Sequence, residues 1–189
     1  MVIKPPVLPE VQSDMIGHIE IKEGRAGWHQ AAPLLRAVWP PDVIATLPWR
    51  DVVWAEPDWR VLVFDLADEI VGHVAMVIRD GTWDRQAIKI GGVGGVATRE
   101  DSRRRGVARA ALSRAVQDMQ NVHQADFALL FCEPRHGPIY EKLGWHPFKG
   151  DVFVTEPRGR VRFDVTEPHV FDLQIAPRSG LLDLCGLPW

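Results

Sequence analysis

The sequence predicts an α/β domain: a mixed, mostly antiparallel sheet flanked by helices, in three layers. Three observations carry that expectation. Residues 60–66, 70–79 and 87–98 are apolar-rich runs at hairpin spacing, as antiparallel strands are. Residues 127–132, Phe-Ala-Leu-Leu-Phe-Cys, are continuously apolar, the pattern of a strand buried on both faces. One amphipathic stretch separates these runs. Strand-helix-strand over residues 93–132 therefore implies a single parallel crossover inside the antiparallel sheet.

Composition sets the outer limits. The 189 residues, 46% apolar and 25% charged, are those of one ordinary globular domain with a full core. We expect residues 1–16, broken by Pro5, Pro6 and Pro9, to be a poorly ordered arm, and 17–189 to be the domain. The N-terminus lacks the apolar core of a signal peptide, and no apolar run reaches the roughly 20 residues that span a bilayer. Two cysteines, Cys132 and Cys185, make no disulfide framework and read as buried thiols. A reduced, cytoplasmic protein with no membrane partner is expected. Cysteine and histidine show no zinc spacing, so no metal is expected.

The elements follow in order. Ile19 and Ile21 alternate with polar residues as a short strand. Residues 28–39 read as a helix stopped by Pro40-Pro41, and Pro41-Asp42 opens a second one to Leu47. Trp49, Trp54 and Trp59 follow in a loop-like stretch holding Pro48 and Pro57. Ala67-Asp68-Glu69 joins two strands at hairpin length, and Asp80-Gly81 reads as the next turn. Residues 106–121 carry Ala108, Ala111, Leu112, Ala115, Val116 and Met119 at the spacing of one buried helix face. Residues 138–143 form a short helix ended by Gly144. Residues 152–155 and 169–175 read as the last strands.

The junction at 93–109 carries the strongest chemical signal. A small apolar strand ending in Val96-Ala97-Thr98 runs into the basic turn Arg103-Arg104-Arg105-Gly106-Val107-Ala108-Arg109 and then into a helix. Six arginines fall within residues 99–114 against Glu100 and Asp101, a local charge of +4 in a chain of net charge −3. A glycine lets the backbone come close, and the free N–H groups of the first helical turn face an anion. A fixed positive site in an acidic chain points to one anionic ligand. A solvated basic face or a nucleic-acid patch is the blander reading. No second basic cluster or aromatic stacking platform supports it, and no nucleic-acid partner is expected.

These residues resemble a known family. Arg103-x-x-Gly106-x-Ala108 after a strand is similar to the acetyl-CoA signature of the GCN5-related N-acetyltransferases (GNAT). Ile139-Tyr140-Glu141-Lys142-Leu143-Gly144-Trp145 is similar to that family's tyrosine-bearing short helix, in the expected order about 35 residues on. The resemblance implies the GNAT fold, with a sheet splayed between its central strands, and acetyl-CoA as the acyl donor. It assigns the pantetheine arm to Val96, Ala97 and Thr98, and the pyrophosphate to the N–H groups and arginines of 103–109. An extended ligand can add like a strand at a splay, and Gly94-Gly95 reads as a bulge beside it. A nearby N–H would then face the thioester oxygen. Tyr140, the only tyrosine, stands at the family's general-acid position. Its ordinary pKa of about 10 lies near enough to a thiol's, about 8.5, for proton transfer in a tuned site.

A narrower resemblance covers roughly residues 45–189. Trp49-Arg50-Asp51 with Trp59, Gly95-Val96-Ala97, residues 140–145, Val170-Phe171 and the tail 182–189 are similar to the aminoglycoside 2′-N-acetyltransferases. In that family a C-terminal tryptophan and its carboxylate reach the drug. The resemblance implies an aminoglycoside partner reached by Trp189, at a site where Gly94 replaces the relatives' carboxylate. Trp49, Trp54 and Trp59 beside Asp51 and Glu56 resemble a sugar-binding wall, and Glu167 and Asp172 near the last strand are further candidates to meet the acceptor. Two departures stand out. Relatives commonly carry a glutamate base where this chain has Gly94, and an acidic residue before the last tryptophan is replaced by Leu187-Pro188. Fewer fixed negative charges suit an acceptor with few amines, of which kasugamycin, acetylated by a divergent branch of the family, is one.

Blander readings stand beside these. Tyr140 could be a packing residue, the three tryptophans core residues, and His73 a satisfied core histidine. Glu133, at the end of a strand, is a candidate replacement base, with Glu167, His169 and Asp172 as alternatives. An acidic pocket could also bind a low-pKa amine with no dedicated base. Another small-molecule or peptide N-acetyltransferase and a non-catalytic acyl-CoA sensor are the rival functions. The tail could close its own pocket or that of a neighbour in a homodimer.

Overall fold

The computed structural model describes residues 14–189. Most of the expected arm lies outside the described residues, and its last residue, Ile16, opens the first strand. β1 (Ile16–Glu23), β2 (Trp59–Asp65), β3 (Ile70–Trp83) and β4 (Gln86–Thr98) pair antiparallel in turn. α1 (Trp28–Val38) and the single turn α2 (Pro41–Ile44) separate β1 from β2. α3 (Val107–Asn121) leads from β4 to β5 (Phe127–Cys132), which lies parallel to β4 as the crossover requires. α4 (Gly137–Glu141), β6 (His146–Pro147), β7 (Asp151–Glu156), β8 (Gly159–Arg162), β9 (Glu167–Asp172) and β10 (Leu181–Asp183) complete the described chain. The main path of the sheet is β6-β9-β5-β4-β3-β10-β7-β8, with β2 and β1 branching from β3.

Alternation along the strands assigns the two faces. Val61 and Val63 of β2, Ala128 and Leu130 of β5, and Phe171 of β9 pack with Ala111, Leu112, Ala115 and Met119 of α3. The intervening Leu62 and Phe64 pack with Ala31 of α1. Phe127 and Leu129 face Val152, Val154, Phe163, Leu182 and Trp189. One face therefore carries α3 and α4. The other carries α1 and the sheet's own curled end. Arg60–Phe64 and Val71–Val77 are buried on both sides, which explains why these runs are apolar apart from Arg60 and His73.

One edge of β3 serves two partners. Ile70 to Met76 pair with β2, while Thr82 and Trp83 pair with β10. Asp58 fills the interval: its N–H donates to Met76 O (2.9 Å), and its carboxylate accepts from the Ile78 N–H (2.7 Å).

Several expectations are corrected. Asp80-Gly81 is no turn. Both pair within the β3–β4 ladder, and the chain reverses at Asp84-Arg85, with φ of 48° and 69°. Those angles are what a two-residue hairpin linking Trp83 to Gln86 demands. Gly81 is small for another reason: a Cβ there would lie 2.5 Å from Asp183 O of β10. The bulge falls on Gly95 (φ 52°) and Val96, one residue later than expected, between the pairs Ala75–Gly94 and His73–Ala97. α2 ends at Ile44, short of Leu47. β6, β8 and β10 were not expected. Cys132 is buried, but Cys185 is exposed on a left-handed turn (φ 51°) held by Asp183 Oδ1 (2.9 Å).

β4 and β5 pair only from Ile90–Phe127 to Val93–Leu130. Beyond Val93 the two strands part. This splay positions everything that follows.

Candidate active site

The basic turn lies at the open end of the splay. Arg104 (φ 60°) and Gly106 (φ 82°) both take left-handed angles, curling the backbone into α3. Such alternating backbone leaves N–H groups lining a concavity that suits anions. α3 has no side-chain cap and no acidic residue in its first turn, so its N-terminal N–H groups and dipole stand uncompensated. Arg103, Arg104 and Arg105 are exposed around the turn. Arg109 Nε is buried and has no hydrogen-bond partner among the described residues, an orphan donor beside the turn. Val107 fixes the first turn in the core, and Ala108 is half-buried. Arg99 is spent elsewhere: Asp101 (2.7 Å) and Asp65 (3.1 Å) hold it and raise its pKa, Asp101 foremost. An orphaned guanidinium donor, an uncapped helix start and a strand edge unpaired among the described residues fit an extended, pyrophosphate-bearing ligand.

That edge belongs to residues 94–98. Val96, Ala97 and Thr98 lie along it past the last β4–β5 pair. Tyr140 approaches from the α3 face. Its helix is stopped by Gly144 (φ 88°), and the Tyr140 carbonyl accepts from the N–H groups of Leu143 (2.8 Å) and Trp145 (3.1 Å). The ring packs edge-on to the wholly buried Trp145. Burial, and secondarily Cys132, push the Tyr140 phenol above its ordinary pKa, so it stands as a neutral donor. Cys132 ends β5 beside it. Burial first, then Glu167, Glu133 and Glu141, push its thiol up to about 12. His169 Nδ1 lies 3.6 Å from Cys132 Sγ.

The opposite face of the splay is closed by Trp189. Its indole lies against Gly92, where a Cβ would fall inside the ring, and Nε1 donates to Leu129 O (3.1 Å). A Cβ on Gly94 would lie 3.0 Å from the Trp189 carbonyl carbon, so a side chain there would press the tryptophan out of place. Arg79 of β3 holds the segment: its guanidinium lies 5.5 Å from the Trp189 ring centre and donates to Leu187 O. The Ala55 N–H donates to Pro188 O (2.7 Å). A run of edge-to-face and tilted rings leads outward, from Trp189 through Phe131, Phe163, Trp54 and Trp49 to Trp39.

The expected substrate residues scatter in part. Gly94, Trp54 and Trp189 come together along this wall. Glu133 is half-buried at the end of β5 and pairs with Arg135 (3.1 Å). Glu167 is exposed opposite Cys132, at the same end of the sheet. Asp51 is exposed beside Arg50 (3.4 Å). Asp172 pairs with Phe127 at the other end of β5, its two oxygens held by Arg178 (2.7 and 2.6 Å). His73 is buried with both ring nitrogens partnered, Nε2 by Arg60 (3.0 Å) and Nδ1 by Gly95 O (2.7 Å). Arg79 and Glu141 were not singled out from sequence. Glu141 adjoins Tyr140 and was open to notice, but Arg79 meets Leu187 across 108 residues and leaves no local signal. Among the described residues, no group of three or more His, Cys, Asp or Glu could hold a metal ion, and no helix is long and apolar enough to cross a membrane.

Comparison with known proteins places this geometry. Residues 22–148 match the family model described as an acetyltransferase (GNAT) domain. An aminoglycoside 2′-N-acetyltransferase of Mycolicibacterium fortuitum is 30% identical over 112 residues, 59% of this chain and 56% of that protein. The chain thus spans little more than half the length of that relative. Among solved structures, the GNAT family N-acetyltransferase YhbS of Escherichia coli in complex with CoA superposes with a TM-score of 0.60 at 17% identity, covering 95% of this chain and 98% of that one. Escherichia coli ElaA gives 0.55 at 15% identity, covering 82% and 98%. The splayed sheet, the basic turn opening α3 and the family match agree: the chain belongs to the GNAT acetyltransferases, which use acetyl-CoA as acyl donor.

Proposed function

We propose that residues 17–189 act as one domain that transfers the acetyl group of acetyl-CoA to an amine of a small aminoglycoside. The 2′-amine of such a drug is the acceptor, and kasugamycin is the leading substrate. The observation that carries this reading is the two-sided splay: a neutral phenol on one face, and on the other an aromatic wall closed by Trp189 against Gly92 and Gly94. The 30% identity to an aminoglycoside 2′-N-acetyltransferase supports the choice of acceptor.

The chemistry asks three things of the chain. The acceptor amine must lose a proton, since an ammonium has no lone pair. Glu133, Glu141 and Glu167, close enough together to raise the Cys132 thiol, draw a cationic acceptor to this end of β5. With no side chain on Gly94, they are the carboxylates nearest the role of base, Glu133 first among them. The oxyanion formed when nitrogen attacks the thioester carbon needs a donor, which the bulge at Gly95-Val96 supplies from the main chain. The departing sulfur takes its proton from Tyr140.

Aromatic rings and few fixed carboxylates suit an amino sugar with few ammonium groups, because each face of a sugar ring packs on an aromatic surface. Acetylation removes one charge from the drug, and resistance would follow. The deciding experiment supplies purified protein with acetyl-CoA and a panel of aminoglycosides, and reads released CoA thiol. The expected result is turnover of kasugamycin at a higher kcat/KM than the polyamine drugs. Turnover of kanamycin-like drugs alone would overturn the choice of acceptor, and no release of CoA with any amine would overturn the function.

A further inference from the structure

His73 is wholly enclosed, yet it makes two specific hydrogen bonds and one of them reaches the bulge of the splay. It lies on β3 opposite Ala97, 1% exposed. Arg60, on the neighbouring strand and itself 7% exposed, directs Nη1 at His73 Nε2 (3.0 Å). A guanidinium only donates, so Nε2 is the acceptor and the ring proton is on Nδ1. Nδ1–H then donates to Gly95 O at 2.7 Å. Arg60 is held in turn: Nε donates to Gly24 O (2.7 Å), and the guanidinium lies 5.0 Å from the Trp28 ring centre. A relay of fixed groups thus runs from α1 through β2 and β3 into β4.

Its end point matters because of covalent geometry. The Gly95 carbonyl and the Val96 N–H share one planar trans peptide, and within it they point in opposite directions. Holding the carbonyl toward His73 therefore aims the Val96 N–H away from it. Val96 is a residue the β3–β4 register skips, and β5 has already parted from β4 at this point. Gly95 adopts φ 52°, where a side chain would be strained, and its missing Cβ would lie 3.3 Å from His73 Cε1. The imidazole fills the space beneath the bulge and also fixes its peptide plane.

We propose that His73 is a positioning residue for acyl transfer, which holds the Gly95–Val96 peptide so that the Val96 N–H points at the thioester oxygen. The proposal rests on the acetyl-transfer reading. His73 touches neither donor nor acceptor. It acts through a main-chain donor worth most in the transition state, so its loss lowers kcat more than it weakens binding.

The test uses three variants. Asn places a donor nitrogen near the position of Nδ1, whereas Gln reaches only that of Nε2 and Leu has no donor. We expect His73→Leu and His73→Gln to lower kcat by about 10²-fold, the size of a lost oxyanion donor. The dissociation constant of CoA, read by calorimetry, should stay within about threefold, and His73→Asn should recover most of kcat. Equal kcat in all three variants and wild type, or His73→Asn no better than His73→Leu, would overturn the proposal. Should the variants fail to fold, long-range proton–nitrogen spectra of wild-type protein labelled in histidine decide it. A ring protonated on Nδ1 supports the proposal, and one protonated on Nε2 overturns it. Wild-type protein that releases no CoA with any amine would instead overturn the acetyl-transfer reading itself, a result distinct from active wild type with indifferent variants.

Discussion

As the proposed general acid, Tyr140 meets two opposed demands. Burial keeps the phenol loaded, but it also makes the proton harder to give away. The neighbouring Cys132 thiol is pushed up as well, to about 12, by burial first and then by Glu167, Glu133 and Glu141. These surroundings disfavour an anionic sulfur and so favour handing it a proton. Tyr140→Phe should lower kcat by about 10²-fold or more with CoA affinity unchanged, as steady-state rates and calorimetry would show. Because the phenol titrates above its ordinary value, kcat should not fall through loss of this proton below about pH 10. His73 sets a limit on the acid side. Its folded pKa is lowered to about 4, by burial first and by the Arg60 charge. The unfolded chain therefore takes up a proton near pH 6.5 that the folded chain refuses. Stability present above pH 6.5 is lost as pH falls toward 4, by about 3 kcal/mol. Urea unfolding at pH 7 and pH 4.5 checks this, and His73→Asn should flatten the difference.

At the scale of elements, β4 is the member on which both halves of the site are built. Its glycines make room: Gly91 faces Met119 of α3, and Gly92 and Gly94 face Trp189. Gly92→Ala should displace the Trp189 ring, raising the KM of the acceptor about tenfold while the CoA dissociation constant stays within threefold. The donor half was legible in the sequence because it is local. Strand, turn and helix follow one another directly, and Gly106 and the arginines mark the turn. The acceptor half was legible only as a resemblance. Nothing near Gly92 announces that a ring will lie on it from 97 positions away. The same cause explains the misplaced turn. Asp80-Gly81 has the composition of a hairpin, but Gly81 is small because β10 passes at 2.5 Å, a neighbour no local window contains. β8 and β10 are four and three residues long, and partners rather than propensity define them.

Across the whole molecule, charge is divided unevenly. The chain carries −3 overall, while residues 99–114 carry +4, and Asp65 from outside the stretch joins Asp101 in holding Arg99. Under the proposed function, this division draws the anionic donor to one end of the splay, and the carboxylates at the end of β5 favour a cationic acceptor. Attraction between exposed charges is screened over about 10 Å at 0.1 M salt. Raising salt from 50 to 300 mM should weaken CoA binding several-fold, as calorimetry would register, whereas Tm should move little because the core is apolar.

The divided edge of β3 orders the assembly of the protein in time. Its pairing with β2 closes a loop of a few residues, from Phe64 to Ile70, and forms early. Its pairing with β10 joins Trp83 to Leu182, and contacts so distant along the chain are slow to form. The short-range pairing around the donor cradle is therefore favoured to form before the long-range pairing that completes the aromatic wall.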